Sequence, residues 1–571
     1  MTTWDVSTDF LVIGSGGGGL VGALRASALG REALVCEKSD KIGGSTGMSG
    51  GMIWIPNNPL MRRERVADSR EAGLAYFASV VGEAGPASSA ARREAYLDAG
   101  SEMVEFLEAE GLRFRRCPGY SDYYSGVRGV TGGSARGRSF EPKLFDAGKL
   151  GPLQARLRPA VAAPLLMFTG EAAKVSTLRT MRGMRVAARV GLRTTAARLR
   201  RKKYLTNGAA LIGSLLATLV ARGVPVWPES ALEDLVVEGG AVTGALIRRD
   251  GRVLRVRARS GVLLASGGFA HNQQMREEVA GGKPAGRPEW TNANPGDTGE
   301  VIRAAMEHGA ATDLMDEAWW MPGWRRPDGT TSMSLGERSK PGSIIVDASG
   351  NRYFNEAVAY QEAGQSMFAR ELAAGGAIPS WLIIDSWNRA RYTFGWFPAG
   401  RTPQDWIDQG AIKRADTVEE LARDCGIDPG GLAETVRRFN QFAATGVDED
   451  FHRGEGDHEK YQGDPSHKPN PSLGPIAQAP FYAVAMYPGD LGTNGGLLTD
   501  EFARVLGADS QPIPFLYATG NCTASVMGRK YLGAGATVGP STVFGYLAAT
   551  HAALAGDGAA PAAPETEGEQ S

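Results

Sequence analysis

A glycine-rich turn near the start of the chain limits the folds that this sequence can adopt. The run DFLVIGSGGGGLVGALRAS places Gly14, Gly16 and Gly19 in GxGxxG spacing, after a strand pattern and at the start of a helix pattern. These glycines allow a tight bend, backbone contact with a pyrophosphate and close helix packing, while the helix N-terminus supplies N–H donors to phosphate. The turn predicts a Rossmann-type dinucleotide-binding domain.

Further glycine turns favour the extended FAD molecule over NAD. Glu37 ends the second strand pattern, where a carboxylate can accept hydrogen bonds from a ribose diol. The stretch EKSDKIGGSTGMSGG follows it, and LLASGGFAHN and FLYATGNCTA are two later strand-to-glycine turns that can approach a long cofactor. The other residues predicted to bind FAD are Ser15, Gly18, Lys38, Gly43, Gly44, Ser45, Thr46, Ser49, Gly50, Gly51, Ala265, Ser266, Gly267, Gly520 and Asn521.

Composition excludes several other classes of protein. A chain of 571 residues exceeds the roughly 250–300 residues at which single cores stop growing, so more than one domain is expected. The net charge of −1 gives no global attraction to nucleic acid. The four cysteines lack CxxC pairing, so neither a metal site nor a disulfide framework is predicted. Without a secretory signal pattern or a run of about 18 apolar residues, a cytoplasmic location is expected, with membrane association as an open alternative.

Together the glycine turns resemble those of flavoproteins in the fumarate reductase and 3-ketosteroid dehydrogenase superfamily, over residues 8–551. The resemblance implies an α/β fold with an α+β cap, in which a Rossmann-type FAD-binding domain is interrupted by a catalytic capping domain. The expected parts are FAD-binding residues 1–284 with a basic insertion at about 150–205, a cap at 285–485, a second FAD-binding part at 486–555 and a disordered tail at 556–571.

The loop that would hold covalent flavin carries no histidine in this chain. Succinate dehydrogenases attach their flavin through a histidine in the loop that matches residues 45–51. The resemblance therefore implies FAD that is bound without a covalent link.

Two tyrosine stretches resemble the 3-ketosteroid 1-dehydrogenases, or delta-1-dehydrogenases, in particular. YSDYYSG is similar to the family's aromatic pair after an aspartate, and puts Tyr123 at the tyrosine that assists the base, with Tyr124 as the alternative register. GNRYFNEAVAYQE places Tyr360 at the tyrosine that abstracts the proton. These stretches imply a tyrosine pair that acts on an apolar substrate.

A third stretch, GRKYLGAG, resembles the family's C-terminal loop. It places Tyr531 and Gly535 at the hydroxyl and the backbone N–H that bind the steroid 3-oxygen. Leu532 stands where the family often has proline, which leaves the spacing intact.

The resemblance implies FAD-dependent 1,2-dehydrogenation of 3-ketosteroids, with electrons passed to an unidentified acceptor for which a quinone is one candidate. Because the reference pKa of tyrosine is about 10, a tyrosine base predicts an alkaline pH optimum. Two alternatives remain. One is a 3-ketosteroid 4-dehydrogenase acting on 5α-steroids, a type that carries serine after the tyrosine where Leu532 and Gly533 stand here. The other is a non-catalytic sterol or flavin carrier.

A basic segment at residues 174–203 contains eleven basic residues and no acidic one. Its spacing is helical, so it predicts either a solvated surface helix or an amphipathic helix resting on anionic lipid. Nucleic-acid binding is disfavoured because aromatic residues are not interleaved with the charges. The arginines at helical spacing are Arg182, Arg185, Arg189 and Arg193, and the apolar residues toward another face are Met181, Met184, Ala188 and Leu192.

Overall fold

The computed structural model describes residues 3–159, 165–175 and 181–555. The expected disordered tail at 556–571 and part of the basic segment lie outside the described residues.

The first strand of the chain lies inside an eight-stranded sheet. Val6–Ile13 runs parallel to both of its neighbours, and its last four residues are fully buried apolar side chains. A parallel sheet covered on both faces requires such a continuous apolar run. In spatial order the main strands are Arg504–Leu506, Pro512–Ala518, Arg252–Leu264, Val6–Ile13, Ala33–Cys36 and Val226–Trp227, and the hairpin strands Ser230–Glu238 and Ala241–Arg249 extend from Arg252–Leu264.

A second, antiparallel sheet is formed by the middle of the chain. Its strands in spatial order are Thr331–Met333, Ala318–Arg325, Phe481–Thr493, Ser380–Asp385 and Ser343–Val346, and Lys413–Ala415 pairs with Phe481–Thr493. This sheet has its own apolar cores, separate from those of the first sheet. Smaller sheets pair Ile53–Trp54 and Phe114–Arg116 with Ser139–Pro142, Phe145–Asp146 with Tyr204–Leu205, and Thr312–Asp313 with Gly496–Leu497.

Helices cover both sheets. In chain order they are Gly17–Ala28, Gly44–Met48, Pro59–Arg63, Arg70–Val80, Ala90–Ala109, Thr169–Val175, Met181–Leu199, Asn207–Ala221, Gln273–Val279, Glu300–Glu307, Tyr360–Ala374, Ser386–Arg391, Gln404–Asp408, Val418–Cys425, Pro429–Thr445, Asp457–Gln462 and Val538–Ala555. This α/β architecture, with an antiparallel part inserted between strands of a Rossmann-type sheet, confirms the predicted fold class.

The two parts share segments at their junction. Strand Phe481–Thr493 crosses position 485, where the cap was expected to end. Helix Glu300–Glu307 lies within the expected cap range, yet its Val301 and Ile302 pack in the core beneath the first sheet. The functional site lies at this junction, where the carboxyl ends of the parallel strands face the inserted part.

Candidate active site

A groove opens at the carboxyl end of strand Val6–Ile13. Of the residues predicted to bind FAD, its walls contain Gly14, Ser15, Gly16, Glu37, Lys38, Gly44, Ser45, Thr46, Ser49, Ala265, Ser266, Gly267, Gly520 and Asn521.

Glycine is required at the turn because the backbone of three segments meets there. Gly14 has φ +108°, and a Cβ on it would lie 2.4 Å from the carbonyl oxygen of Ala265. A Cβ on Gly16 would meet no atom closer than 3.8 Å, so this residue faces the open groove, where a pyrophosphate can approach. The turn therefore fits a dinucleotide phosphate.

The remaining predicted glycines do not line the groove but pack against neighbouring backbone or side chains. A Cβ on Gly18 would lie 2.4 Å from the carbonyl oxygen of Ser541, and one on Gly19 would lie 2.3 Å from that of Gly14. The same holds for Gly43, Gly50 and Gly51, whose nearest neighbours are Ile212, Thr169 and Asn207. These glycines therefore allow close packing behind the wall of the groove.

Glu37 is held in place at the end of its strand. Its carboxylate accepts hydrogen bonds from the Ser15 N–H at 3.1 Å, the Ser15 hydroxyl at 2.6 Å and the Ser39 N–H at 2.9 Å. Oε2 accepts both bonds from Ser15, and Oε1 accepts one from Ser39 and so retains a lone pair for a ribose hydroxyl. Lys38, next to it, pairs with Glu300.

Sequence reasoning missed a polar wall that comes from the linker into the inserted part. Asp297 accepts hydrogen bonds from the Ser45 hydroxyl at 3.0 Å and the Asn294 side-chain amide at 3.2 Å. Burial raises the pKa of Asp297 to about 7, although both hydrogen bonds lower it. The sequence around Asp297 resembles an ordinary turn, and only its position opposite the 45–51 loop indicates a role.

Three tyrosines from distant parts of the chain meet at one end of the groove. The ring centroids of Tyr360 and Tyr531 are 4.8 Å apart, those of Tyr123 and Tyr360 are 5.4 Å apart, and those of Tyr123 and Tyr531 are 5.7 Å apart. The Tyr360 hydroxyl lies close enough to Tyr123 to lower the pKa of Tyr123, which burial raises. Tyr124 makes no ring contact with Tyr360 or Tyr531, so the geometry favours Tyr123 over its neighbour.

Two loops that carry these tyrosines are joined to each other by backbone. The Tyr123 N–H donates to the Leu532 carbonyl at 3.0 Å, and the Tyr76 hydroxyl donates to the same oxygen at 2.9 Å. Leucine in place of the family's proline therefore keeps the loops joined, because the bond uses the carbonyl. Gly535 ends the second loop with φ +104°, and a Cβ on it would lie 2.5 Å from the Met52 carbonyl oxygen.

A buried aspartate holds the loop that carries Tyr123. Asp122 accepts hydrogen bonds from the Trp54 indole N–H at 2.7 Å, from Arg138 at 2.8 Å and from the Ser134 N–H at 3.0 Å. Burial raises the pKa of Asp122, and the Arg138 charge opposes that shift. This network orients the segment on which Tyr123 lies.

Burial dominates the acid–base properties of the cluster. It raises the pKa of Tyr360 well above the usual value, and the nearby Tyr123 and Tyr531 hydroxyls raise it further. Burial also raises the pKa of Tyr123. Tyr120 lies next in this group of hydroxyls: it accepts a hydrogen bond from the Gln462 side-chain amide at 3.2 Å, and the Tyr123 hydroxyl lowers its pKa, which burial raises to about 12. Sequence reasoning missed Tyr120.

Two other rings complete the aromatic wall, and neither was predicted. Trp319 meets Tyr531 edge-on at 5.1 Å between centroids and donates its indole N–H to Asn521 at 3.1 Å. His458 packs on Tyr123 at 4.1 Å between centroids. Burial lowers the pKa of His458 to about 3, so its ring is neutral and adds no charge to the site. The wall is therefore apolar.

Known proteins share both the groove and the architecture. The FAD binding domain family matches residues 9–538. A 3-oxosteroid 1-dehydrogenase of Mycobacterium tuberculosis is 44% identical over 560 residues, which cover 95% of this chain and 98% of that protein. The chain belongs to the 3-ketosteroid 1-dehydrogenase family.

Other members of the 3-ketosteroid 1-dehydrogenase family and its relatives extend the comparison. The crystal structure of 3-ketosteroid delta1-dehydrogenase from Sterolibacterium denitrificans, in complex with 1,4-androstadiene-3,17-dione, is 39% identical, with a TM-score of 0.90, and covers 96% of this chain and 100% of its own. A 4-oxocyclohexanecarboxylate 2-dehydrogenase of Sinomonas cyclohexanicum is 35% identical over 97% of this chain and 95% of its own.

Membership of this family confirms the resemblance and identifies FAD as the cofactor. The chain is an oxidoreductase. Within the described ranges, no helix is both long and apolar enough to cross a membrane. In the same part of the chain, no group of three or more histidine, cysteine, aspartate or glutamate residues could hold a metal ion.

Proposed function

We propose that this chain removes hydrogen from carbons 1 and 2 of 3-ketosteroids and produces 1,4-diene-3-ones. The observation that carries the proposal is the convergence of Tyr123, Tyr360 and Tyr531 at the end of the FAD groove. Relatives named 3-oxosteroid 1-dehydrogenase, and the solved relative that holds a 1,4-diene-3-one, support it.

Each group in the cluster has one part in this reaction. Tyr360 takes the proton from carbon 2, and the electrons of that C–H bond move toward the 3-oxygen. Tyr531 donates its hydroxyl and Gly535 its N–H to this oxygen, an arrangement in which one donor is typically worth roughly 3–4 kcal/mol. FAD, when bound, accepts the hydride from carbon 1. Tyr123 holds the Tyr360 hydroxyl in place.

The wall around these groups fits an apolar ring system. Trp319, His458 and the tyrosines supply flat, uncharged surfaces, and a steroid buries such a surface favourably. The cyclohexane-based relative acts on a single six-membered ring ketone, by its name. The ring ketone is thus the chemical unit that the two groups of relatives have in common.

Product analysis tests the proposal. Purified protein is incubated with androst-4-ene-3,17-dione and an artificial electron acceptor, and the 1,4-diene-3-one is expected. Conversion of a 5α-reduced 3-ketosteroid to its 4-ene, without the 1,4-diene, would favour the 4-dehydrogenase alternative. A carrier would bind steroid without bleaching the flavin under anaerobic conditions.

We also propose that helix Met181–Leu199 contacts an anionic lipid surface, from which an apolar steroid is drawn. Met181, Leu192 and Leu199 are 64%, 73% and 80% exposed, and Arg185 and Arg189 are exposed beside them. An exposed apolar stripe with flanking arginines is typical of helices at a membrane interface. Arg193 does not belong to this face, because it is half-buried and pairs with Glu171 at 2.6 Å.

Vesicle co-sedimentation tests this contact. The protein is expected to pellet with vesicles that contain phosphatidylglycerol at low salt, and less at high salt. A double variant, Leu192→Gln with Leu199→Gln, should lose binding, whereas Leu372→Gln, which changes a leucine that is 55% exposed on another helix, should not. Equal sedimentation of the double variant would contradict the contact.

A further inference from the structure

A buried tyrosine base needs a nearby positive charge. Burial raises the pKa of both Tyr123 and Tyr360 well above the usual range, which leaves almost no phenolate near neutral pH. A cation close to the pair would favour the ionised form, because the buried surroundings screen its charge poorly. Arg338, on the segment that precedes strand Ser343–Val346, carries a positive charge that interacts with Tyr123.

Arg338 is a buried guanidinium without a carboxylate partner. It is 1% exposed, and within the described ranges no carboxylate lies within 4.0 Å of it. Its side chain donates instead to the backbone carbonyls of Ser334, at 3.4 Å, and Glu356. A buried charge without an opposite charge costs considerable stability, and such groups are enriched at functional sites.

The position of Arg338 connects it to the tyrosine pair in two ways. Its bond to the Glu356 carbonyl reaches the loop that leads into helix Tyr360–Ala374, so it holds the segment that carries Tyr360. Its charge also acts on Tyr123. Burial lowers the pKa of Arg338 to about 10, and the interaction with Tyr123 is the largest of the effects that raise it again.

We propose that Arg338 is a positioning residue that promotes ionisation of the Tyr123–Tyr360 pair by its positive charge. The inference rests on the proposed function, since it assumes that Tyr360 is the base. It adds the group whose charge increases the fraction of phenolate near neutral pH.

The other charged groups around Arg338 leave its positive charge uncancelled. The Glu356 carboxylate is bound by Arg352 at 2.7 Å and by Arg453 at 2.9 Å. Glu337, next in the chain, directs its carboxylate to the Gly395 N–H at 3.0 Å. His458 packs on Tyr123 and is neutral, since burial and the Arg338 charge lower its pKa to about 3. Among the groups that raise the pKa of Arg338, Tyr123 therefore acts more strongly than either carboxylate.

Two pH profiles measured on the holoenzyme test the proposal. One is the rate at which the carbon 2 hydrogens of bound androst-4-ene-3,17-dione exchange with deuterated water while the flavin is reduced. The other is the ultraviolet difference absorbance of tyrosinate, corrected with a Tyr123→Phe, Tyr360→Phe double variant. In Arg338→Gln, which keeps amide donors but loses the charge, both apparent pKa values should rise by about one unit or more. Exchange should fall about tenfold at neutral pH and recover at high pH.

Three further variants control for loss of structure. Arg338→Lys keeps the charge and should keep an apparent pKa close to that of the wild type. Glu337→Gln removes a neighbouring negative charge and should shift the apparent pKa downward. Arg92→Gln is the matched control, because Arg92 is also fully buried and bound to backbone carbonyls, those of Ala87 and Ala524, whereas the charges that act on it are those of Asp500, Asp313 and Glu501 and not that of a tyrosine.

The outcomes separate this inference from the proposed function. An Arg338→Gln profile lowered equally at every pH, or an equal shift in Arg92→Gln, would assign Arg338 a purely structural role and overturn the proposal. If Arg338→Gln does not fold, Glu337→Gln decides the question. An apparent pKa in Glu337→Gln equal to that of the wild type would also overturn the proposal. If the wild type shows no exchange while the tyrosinate absorbance shifts as expected, the role of Tyr360 fails and the charge effect of Arg338 stands.

Discussion

Tyr360 loses nearly all contact with water when it packs between Tyr123 and Tyr531. The same burial that excludes water from a bound ring ketone also raises the pKa of Tyr360. It therefore lowers the fraction of Tyr360 that is present as phenolate. The neighbouring hydroxyls of Tyr123 and Tyr531 raise the pKa of Tyr360 further. We therefore expect the turnover rate to increase toward alkaline pH.

Replacing the base should separate chemistry from binding. Tyr360→Phe removes one hydroxyl from an aromatic wall, so FAD and steroid should still bind. Turnover should fall by ~10²-fold or more, as is usual for loss of a general base. The measurement is exchange of the carbon 2 hydrogens with reduced flavin, which the wild type should show and the variant should not.

A neighbouring tyrosine supplies the control. Tyr353→Phe makes the same chemical change seven positions earlier, where the hydroxyl bonds to Ser380 at 2.6 Å inside the inserted part. It should leave exchange and turnover near the wild-type values. Rapid exchange in Tyr360→Phe would move the base elsewhere, with Tyr123 as the next candidate.

At the scale of elements, the loop from Tyr531 to Gly535 depends on close backbone contact. Gly535→Ala combines a left-handed φ with a Cβ 2.5 Å from the Met52 carbonyl, so the loop must move. Steroid affinity and turnover should both fall, and the melting temperature should drop. Gly111→Ala has a similar φ of +98° with nothing within 4 Å, and should show only the strain of about 1–3 kcal/mol. Equal effects in both variants would argue against a tight loop contact.

Strand Ser139–Pro142 carries a carboxyl group that makes stability depend on pH. Glu141 is fully buried, and burial raises its pKa to about 7. The unfolded chain releases this proton near pH 4.3, so between about 4.3 and 7 the folded state binds more protons and stability falls as pH rises. Glu141→Gln imitates the protonated form and should remove up to about 3 kcal/mol of that fall.

Urea unfolding at pH 5 and at pH 7.5 measures this effect. The wild type should lose more stability between the two values than Glu141→Gln does. Glu83→Gln, at an exposed position, should lose as much as the wild type. A Glu141→Gln variant with the wild-type pH dependence would rule out the buried carboxyl as its source.

Some elements could be predicted from local patterns and others could not. The first strand has a short apolar run that ends at the glycine turn, and both were predicted. Strands Ala318–Arg325 and Phe481–Thr493 were not, because Pro322 and Pro488 interrupt them, and the structure pairs these prolines with each other. Helix Val538–Ala555 was missed since it is buried almost all round and shows no apolar stripe.

In the candidate active site, too, the residues that could be predicted are those that belong to a local sequence motif. Tyr123, Tyr360 and Tyr531 were predicted through short family motifs, and the structure brings all three rings together. Asp297, Trp319 and His458 have no local motif, and only the tertiary fold places them beside the groove and the rings. Their roles, the domain limits and the roles of the tyrosines stay predictions until variants are measured.

At the scale of the whole molecule, the cofactor should be removable. Residues 45–51 contain no histidine, and the groove offers FAD backbone groups, Glu37 and neighbouring polar side chains. Acid precipitation of yellow holoprotein should release free FAD into the supernatant, and FAD should raise the melting temperature of the apoprotein by mass action. Flavin that stays with the precipitate would contradict a non-covalent site.

Helix Gly17–Ala28, near the start of the chain, packs against the last described helix, Val538–Ala555. Its Arg25 side chain donates to the Thr550 hydroxyl at 3.0 Å, and its first turn packs at Gly18 against the Ser541 carbonyl. During synthesis at about 5–20 residues per second, this helix would wait roughly half a minute to two minutes for its partner. The inserted part, with cores of its own, can fold in that interval. Stalled ribosomal chains in which strand Phe481–Thr493 has left the ribosome but helix Val538–Ala555 has not should therefore be protease-sensitive before residue 110 and protected between 340 and 480.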